Sequence, residues 1–344
     1  MAVAAQTISF PDTARRLIDS HGRVIHDLRV SITDRCNYKC VYCRTGEYGA
    51  QYPELNISEY LHLIRLFVSL GIEKVRLTGG EPLLRNGLIE LIQELAGLRT
   101  TSGQPLDIAL TTNGHLLDKM AAPLKAAGLN RVTVSMDAVD APTFERITRV
   151  PGSFNKVVAG VRAAKAAGLT PVKINCVLLR GFNDNEVEGF ARFAREEDVI
   201  VRFIEFMPLE EGRLWSPEIV VTLKEITERI SRELPLVPLA PREPSETARR
   251  YTFSDGIGEI GIIAPVSQAF CGACSRVRLT SDGKIRTCLF SQVEHDLYGR
   301  MRAGQSESEL SDYIVRTINE KEARHHIGEP GFLKPSRSMV HIGG

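Results

Sequence analysis

Hydrophobic positions along the chain follow two alternating rhythms. Short runs rich in β-branched residues at 28–33, 74–78, 106–110, 131–136, 172–179 and 200–206 read as strands. Between them, over 58–70, 86–98, 115–127, 153–167 and 186–197, apolar residues recur every three or four positions, the spacing that lines one face of a helix. The first helical stretch puts Leu61, Ile64 and Val68 on one stripe, with Ser58 as a candidate N-cap and Gly71 as the stop; Gly128 and Gly168 end two later ones. Strand–helix alternation predicts parallel strands joined by right-handed crossovers. Six units can be counted, fewer than the eight of a closed barrel, so the pattern predicts an α/β protein built on an incomplete (βα)6 TIM-type barrel.

Outside this stretch the rhythm is lost. Residues 1–26 form a loose lead-in with turn signals at Phe10-Pro11-Asp12 and Ser20-His21-Gly22. After one more helix over 222–232, residues 234–246 hold four prolines and read as a boundary or a wrapping linker. Residues 251–289 are rich in glycine and β-formers, 306–322 make a final helix, and the tail from Gly328 to Gly343-Gly344 has little pattern. The expected organisation is a lead-in (1–26), a partial barrel (27–233) and a C-terminal region (234–344).

Charge and hydropathy exclude more than they identify. With 43 basic and 42 acidic residues the net charge is +1, which gives no electrostatic reason to expect nucleic acid or a membrane surface as partner. No run approaches the roughly 20 apolar residues of a membrane span, and the first ten residues lack the basic and apolar regions of a signal peptide. The expected location is the cytoplasm, where thiols stay reduced, so the seven cysteines read as metal ligands before disulfides.

Six of them form two groups. Cys36, Cys40 and Cys43 follow the first strand directly, where parallel α/β folds place their chemistry. Cys271 and Cys274 are joined later by Cys288. Each group offers three thiols. Structural zinc takes four ligands, whereas a four-iron cluster held by three cysteines keeps one iron open for a small molecule. Cys176, inside a predicted strand, reads as a small buried apolar residue. Between the second group's ligands, Arg276 and Arg278 alternate and so share one strand face. That suits an anionic or electron-rich substrate, or else a merely exposed basic edge. At the end of the second strand, Thr78-Gly79-Gly80-Glu81-Pro82 removes side chains where backbone could approach a ligand.

The run from Arg35 to Cys43, followed one strand later by the Gly-Gly-Glu-Pro turn, resembles the signature of the radical S-adenosylmethionine enzymes. Within that superfamily the chain is similar to the GTP 3′,8-cyclases of molybdenum cofactor biosynthesis, from Asp27 to the last residue. Landmarks of that similarity are Asp27–Cys36, Val75–Pro82, Thr111–Gly114, Val134–Ala138, Phe203–Pro208, the segment from Cys271 to Cys288, and Gly343-Gly344.

The resemblance implies two [4Fe-4S] clusters, one on each cysteine group, with S-adenosylmethionine on the first and GTP on the second. It implies that Tyr42, Gly80, Ser135 and Met207 contact S-adenosylmethionine, and that Arg29, Arg76, Thr111, Lys173 and the run Arg276-Val277-Arg278 contact GTP. Arg276 and Arg278 are the expected catalytic pair. No GxxxxGK[ST] loop is present, so separate basic side chains must hold the triphosphate, and they are expected at the C-terminal strand ends. Also implied are an external electron donor, a downstream cyclic pyranopterin monophosphate synthase, a homodimer, and a terminal glycine pair that reaches the active site. One departure is Arg44-Thr45 where family members often carry Met-Pro. The competing expectations are another radical enzyme with an auxiliary cluster, such as a peptide-modifying one, and a zinc-bound structural protein.

Overall fold

A computed structural model of the chain describes residues 16–43, 50–210, 212 and 214–342. Strands β1 (Asp27–Ser31), β2 (Lys74–Thr78), β3 (Asp107–Thr112), β4 (Arg131–Ser135), β5 (Lys173–Leu178) and β6 (Ile200–Glu205) pair in parallel in chain order. The crossovers carry α1 (Ile57–Ser69), α2 (Leu88–Ala96), α3 (Leu117–Ala126), α4 (Ala141–Thr148), α5 (Ser153–Ala166) and α6 (Val187–Glu196), and α7 (Leu223–Glu233) follows β6. All six strands expected from the hydrophobic pattern are present, and the partial barrel is confirmed. Asn56, not Ser58, caps α1: its side chain accepts from Glu59 N at 2.9 Å while Glu59 accepts from Asn56 N at 2.9 Å. That reciprocal box contributes about 1 kcal/mol. The short α4 was not anticipated; Asp140 caps it by accepting from Thr143 N at 2.9 Å.

The C-terminal region does not stand apart from the barrel. It supplies β7 (Leu236–Leu239), β8 (Arg249–Phe253), β9 (Glu259–Ile263), β10 (Arg276–Leu279), β11 (Lys284–Arg286) and β12 (His295–Asp296), then α8 (Leu297–Arg302), α9 (Glu307–Asn319) and α10 (Met339–Ile342). The single sheet runs β12-β11-β10-β1-β2-β3-β4-β5-β6-β9-β8-β7. β10 lies parallel to β1 with Arg29 opposite Arg278, and β9 lies parallel to β6 with Arg202 opposite Gly261. The proline-rich stretch read as a linker contains β7, an edge strand with Pro238 in its middle, where a missing N–H is tolerated.

Strand alternation sorts the side chains. Leu28, Val30, Val75, Leu77, Val277 and Leu279 are fully buried in the main hydrophobic core. The opposite strand face carries Arg29, Arg76, Thr111, Ser135, Asn175, Arg202, Arg276 and Arg278, which line one interior cavity of about 290 Å³. Closed (βα)8 barrels fill that space with branched apolar layers. Here it is hollow, with these arginines and hydroxyls set into an otherwise largely apolar wall.

Candidate active site

The direction of the strands decides where each cysteine group sits. Cys36, Cys40 and Cys43 follow β1 and occupy the C-terminal rim of the barrel. Cys271 and Cys274 precede β10, which is parallel to β1, and so lie at the N-terminal rim. β11 runs antiparallel to β10 and returns Cys288 to that same rim. All six cysteines are half-buried, none is in a disulfide, and they line the one cavity from its two ends. Cys176 is fully buried in the core and is not among the lining residues.

The first cysteine loop is anchored at several points. Lys39 N and Val41 N donate to Thr148 O and Ile147 O at the end of α4, at 3.2 and 3.0 Å. The Asp34 carboxylate accepts from Gln51 N at 2.6 Å and Tyr52 N at 3.0 Å, and Tyr38 Oη meets His115 Nδ1 at 3.1 Å. The glycines of the second-strand turn serve this loop too. A Cβ on Gly79 would lie 2.3 Å from Thr33 O, and one on Gly80 2.3 Å from Arg35 O. Gly80 N and Glu81 N donate to those carbonyls at 2.8 and 2.7 Å. So the close approach is first to the chain's own backbone, while Gly80 also borders the cavity.

Glu81 is fully buried and turned away from the cavity. Its carboxyl accepts from Thr112 Oγ1 at 2.7 Å, Asn113 N at 2.6 Å and Leu83 N at 2.9 Å. Burial raises it to about 7 against the pull of those donors. Asn113 in turn donates to Asn37 Oδ1 at 2.7 Å. Replacing Glu81 with Ala should therefore strand three buried donors and destabilise the fold by about 2–4 kcal/mol, read by chemical denaturation. A loss under about 0.5 kcal/mol would show that the site relaxes around the gap.

Of the residues expected to meet S-adenosylmethionine, Tyr42, Gly80, Ser135 and Met207 all line the cavity near the first triad's rim. Tyr42 Oη donates to Asp137 Oδ2 at 2.5 Å, and Asp137 Oδ1 accepts from Val177 N at 2.8 Å. Burial lifts Asp137 to about 6 and pushes the Tyr42 phenol well up.

Of those expected to meet GTP, Arg29, Arg76, Thr111, Arg276 and Arg278 line the same cavity. Their placement corrects one expectation. Arg29 and Arg76 are mid-strand and Lys173 is the first residue of β5, so none is at a C-terminal strand end. Arg29 and Arg76 lie between the rims, Arg29 close enough to Cys274 to interact with it electrostatically. Lys173 is not a lining residue of the cavity; by alternation it shares the inward face of Asn175 and Val177, one step nearer the N-terminal rim. The Val277 side chain is fully buried in the core behind β10, which leaves only its main chain on the cavity side. Residues 44–49 and 343–344, which include Arg44-Thr45 and the glycine pair, lie outside the described residues.

Among the lining residues that escaped sequence reading are Arg202, Asn175, Lys321 and His325. Arg202 reaches Thr133 Oγ1 at 3.3 Å beside Arg76, which bonds the same oxygen at 3.2 Å. Asn175 presents a buried Oδ1 with no hydrogen-bond partner. Alternation along β5 and β6 was the available signal for Asn175 and Arg202.

The cationic excess is the main electrostatic fact. Burial first, then mutual repulsion, brings Lys173 to about 7, Arg202 to about 9 and Arg29 to about 10, Arg29 being partly sustained by Asp27. Arg278 is pushed down by burial, Arg29 and Arg276. Arg29 Nε and Arg202 Nε are buried without acceptors. Such a group of cations is stable only opposite an anion. The triads differ in the same sense. Burial and Asp137 raise the Cys40 thiol, whereas at Cys274 burial is outweighed by Arg276 and Lys321, which bring it to about 6. Arg276 Nη2 also donates to Cys274 Sγ at 3.3 Å. Three thiols facing a cavity at each end suit an iron–sulfur cube with one open iron. Among the described residues, no three Cys, His, Asp or Glu converge on a single ion.

Comparison with known proteins sets this geometry in context. Residues 30–194 match the Radical SAM superfamily and residues 199–327 match Molybdenum Cofactor Synthesis C. The GTP 3′,8-cyclase of Corynebacterium glutamicum is 44% identical, over 97% of this chain and 90% of its own. That of Moorella thermoacetica is 44% identical over 95% and 99%. The solved structure of Streptococcus suis SuiB bound to S-adenosylmethionine is similar in fold, with a TM-score of 0.58 at 13% identity over 87% of this chain and 69% of that one. Among the described residues, no helix is long and apolar enough to cross a membrane.

Proposed function

This chain belongs to the GTP 3′,8-cyclase family of radical S-adenosylmethionine enzymes, and on that premise we propose how its cavity converts GTP to (8S)-3′,8-cyclo-7,8-dihydroguanosine 5′-triphosphate, the first step of molybdenum cofactor biosynthesis. The observation that carries the proposal is the pair of three-thiol sets at opposite ends of one cationic cavity. A zinc-bound structural protein and a peptide-modifying enzyme, the two competing expectations, give way to the cyclase family.

Cys36, Cys40 and Cys43 would hold the first [4Fe-4S] cluster, and Cys271, Cys274 and Cys288 the second. When bound, the first cluster supplies the electron that cleaves S-adenosylmethionine and so provides the radical that removes the hydrogen at C3′ of GTP. The chain's own task is to orient and enclose. Tyr42, Gly80, Ser135 and Met207 position S-adenosylmethionine at the upper rim. Arg29, Arg76, Thr111 and Lys173, joined by Arg202, neutralise the triphosphate, replacing a phosphate-binding loop with separate forks on strands. Arg276 and Arg278, with the Val277 main chain between them, hold the purine side of the substrate beside the second triad. Bond formation to C8 leaves a radical that needs one electron and one proton. The two guanidiniums stabilise the charge of that step.

In this reading the partial barrel, 27–233, carries the first triad, the S-adenosylmethionine contacts and the triphosphate-binding cations, the C-terminal region, 234–344, carries the second triad with Arg276 and Arg278, and the described end of the lead-in, 16–26, braces it. Arg23 makes that brace, donating to Cys271 O at 2.9 Å and Ala323 O at 2.8 Å. An external electron donor, product transfer to a downstream cyclic pyranopterin monophosphate synthase, a homodimer and a cytoplasmic location complete the proposal.

Anaerobic turnover of the iron- and sulfide-reconstituted chain with dithionite, S-adenosylmethionine and GTP tests it. Mass spectrometry should find 5′-deoxyadenosine together with a cyclised guanosine triphosphate. Deoxyadenosine with unchanged GTP would refute the substrate assignment.

Lys173 adds a pH dependence. Its ammonium is held at about 7 by burial and by Arg202, Arg131 and Arg76, and a bound triphosphate favours the charged form. GTP binding should therefore take up a proton above pH about 7, and affinity should fall as pH rises, by at most about tenfold per unit. Calorimetry in buffers of different ionisation enthalpy, at pH about 8 where phosphate titration is nearly complete and Arg202, held at about 9, is still mostly charged, reads the uptake directly. Lys173→Met should remove most of it. Equal uptake in that variant would assign the proton elsewhere.

A further inference from the structure

The last described residues are held by an ion-pair cluster that the proposed chemistry does not use. Arg337 is only 4% exposed, and its two terminal nitrogens pair with Asp282 Oδ1 and Oδ2 at 2.9 and 2.8 Å. Its Nη2 also meets Glu294 Oε2 at 2.7 Å, and its guanidinium carbon stands 3.8 Å over the Tyr52 ring. Asp282 lies in the turn between β10 and β11, so the clamp grips the hairpin that carries Arg276 and Arg278 and leads to Cys288.

Only one short turn separates this clamp from the cavity. Met339 N donates to Leu209 O at 3.1 Å, Val340 and Ile342 are buried, and Arg278 Nη1 donates to Ile342 O at 3.4 Å. Met339, Val340 and Arg278 all line the cavity. Five residues thus connect a buried bidentate ion pair to a guanidinium of the active site, with little slack between them.

We propose that Arg337 is a positioning residue: its pairing with Asp282 and Glu294 seats the C-terminal segment against Arg278 and so sets that guanidinium where Met339 and Val340 border the cavity. The hairpin does not depend on Arg337 in the same way. Lys284 Nζ lies 3.6 Å from both Asp282 and Glu294, and Arg286 Nη1 pairs with Glu294 at 2.8 Å, so both acids keep a cation when Arg337 is lost. Beyond Arg337 the segment is held by Met339 N on Leu209 O at 3.1 Å, by the His341 ring 5.2 Å from that of Tyr52, and upstream by the Lys334–Glu210 pair at 3.0 Å, and Arg337 itself packs on Tyr52. Arg337→Gln should therefore loosen the segment and spare the hairpin.

Hydrogen exchange read by mass spectrometry on the reconstituted full chain tests this. In Arg337→Gln, amides of 338–342 should exchange about tenfold faster or more, while β1–β6 and the iron content stay as in the unaltered chain. The activity readout rests on the cyclase assignment: cyclised product per deoxyadenosine should fall by about tenfold, because a displaced guanidinium no longer meets the reacting centre. Arg337→Lys should restore only part of the protection, since an ammonium cannot make the bidentate fork. If Arg337→Gln fails to hold iron, Asp282→Asn removes the same fork from the other side and should give the same regional loss. Unchanged exchange at 338–342, or faster exchange with an unaltered product ratio, would overturn the proposal. An unaltered chain that makes no cyclised product would overturn the cyclase assignment instead, leaving the exchange result to decide the clamp.

Discussion

Alanine at any one of Cys36, Cys40 or Cys43 will abolish deoxyadenosine formation, whereas alanine at Cys271, Cys274 or Cys288 will leave that activity and abolish cyclised product. The asymmetry follows from the two rims. The upper triad faces Tyr42, Ser135 and Met207, while the lower one faces Arg276 and Arg278. Each loss should remove one four-iron cluster, lowering iron from about eight to about four per chain. Metal analysis with quantification of both products checks this. Loss of deoxyadenosine in the lower-rim variants, at half the iron, would show that the two ends do not work separately. The chain gives a reason to expect independence. The upper loop is tied to Ile147, Thr148 and Asn113, and the lower segment to Arg23 and Lys321.

Arg278→Ala should lower cyclised product by about 10²–10³ while deoxyadenosine formation continues, and Arg276→Ala should do the same. The magnitude is that of removing one preorganised donor from a water-poor site. Arg278 is 4% exposed among Arg29, Arg276 and Arg286, and its Nη1 donates to Ile342 O at 3.4 Å, so its charge is held in a fixed place. Liquid chromatography of both products over one time course separates the outcomes. Cyclisation at the full rate in either variant would remove that arginine from the catalytic pair. Arg278→Lys keeps a charge but loses the fork, so it should lie between the two extremes.

Much of this site could be read along the chain. The six parallel strands, the two cysteine groups and the pairing of Arg276 with Arg278 on one face all follow from local pattern, because period-two alternation and ligand spacing are properties of a few consecutive residues. Family resemblance then attached chemistry to those positions. Local pattern is weaker where elements are short. β10 and β11 have four and three residues, too few for a period to declare itself, and β7 is hidden by its proline. The cap of α1 moved to Asn56 because Ser58 bonds Asn56 Oδ1 at 2.7 Å rather than the helix backbone.

What the chain determined by itself is which side chains share a strand face and which thiols share a loop. Only the tertiary structure decided that β9 and β10 join opposite edges of one sheet, and that decision sets everything between the triads. It places Cys271, Cys274 and Cys288 at the rim opposite Cys36, Cys40 and Cys43, moves Arg29 and Arg76 from the expected strand ends to the interior between them and Lys173 to the opposite end of its strand, and sends the Val277 side chain into the core. It also aims Glu81 at Thr112 and Asn113 instead of a ligand. The physical reason is that strand pairing joins residues some 250 positions apart, such as Arg29 and Arg278, through backbone hydrogen bonds that carry no side-chain identity. Periodicity says how a strand faces; the register against a distant partner says what it faces.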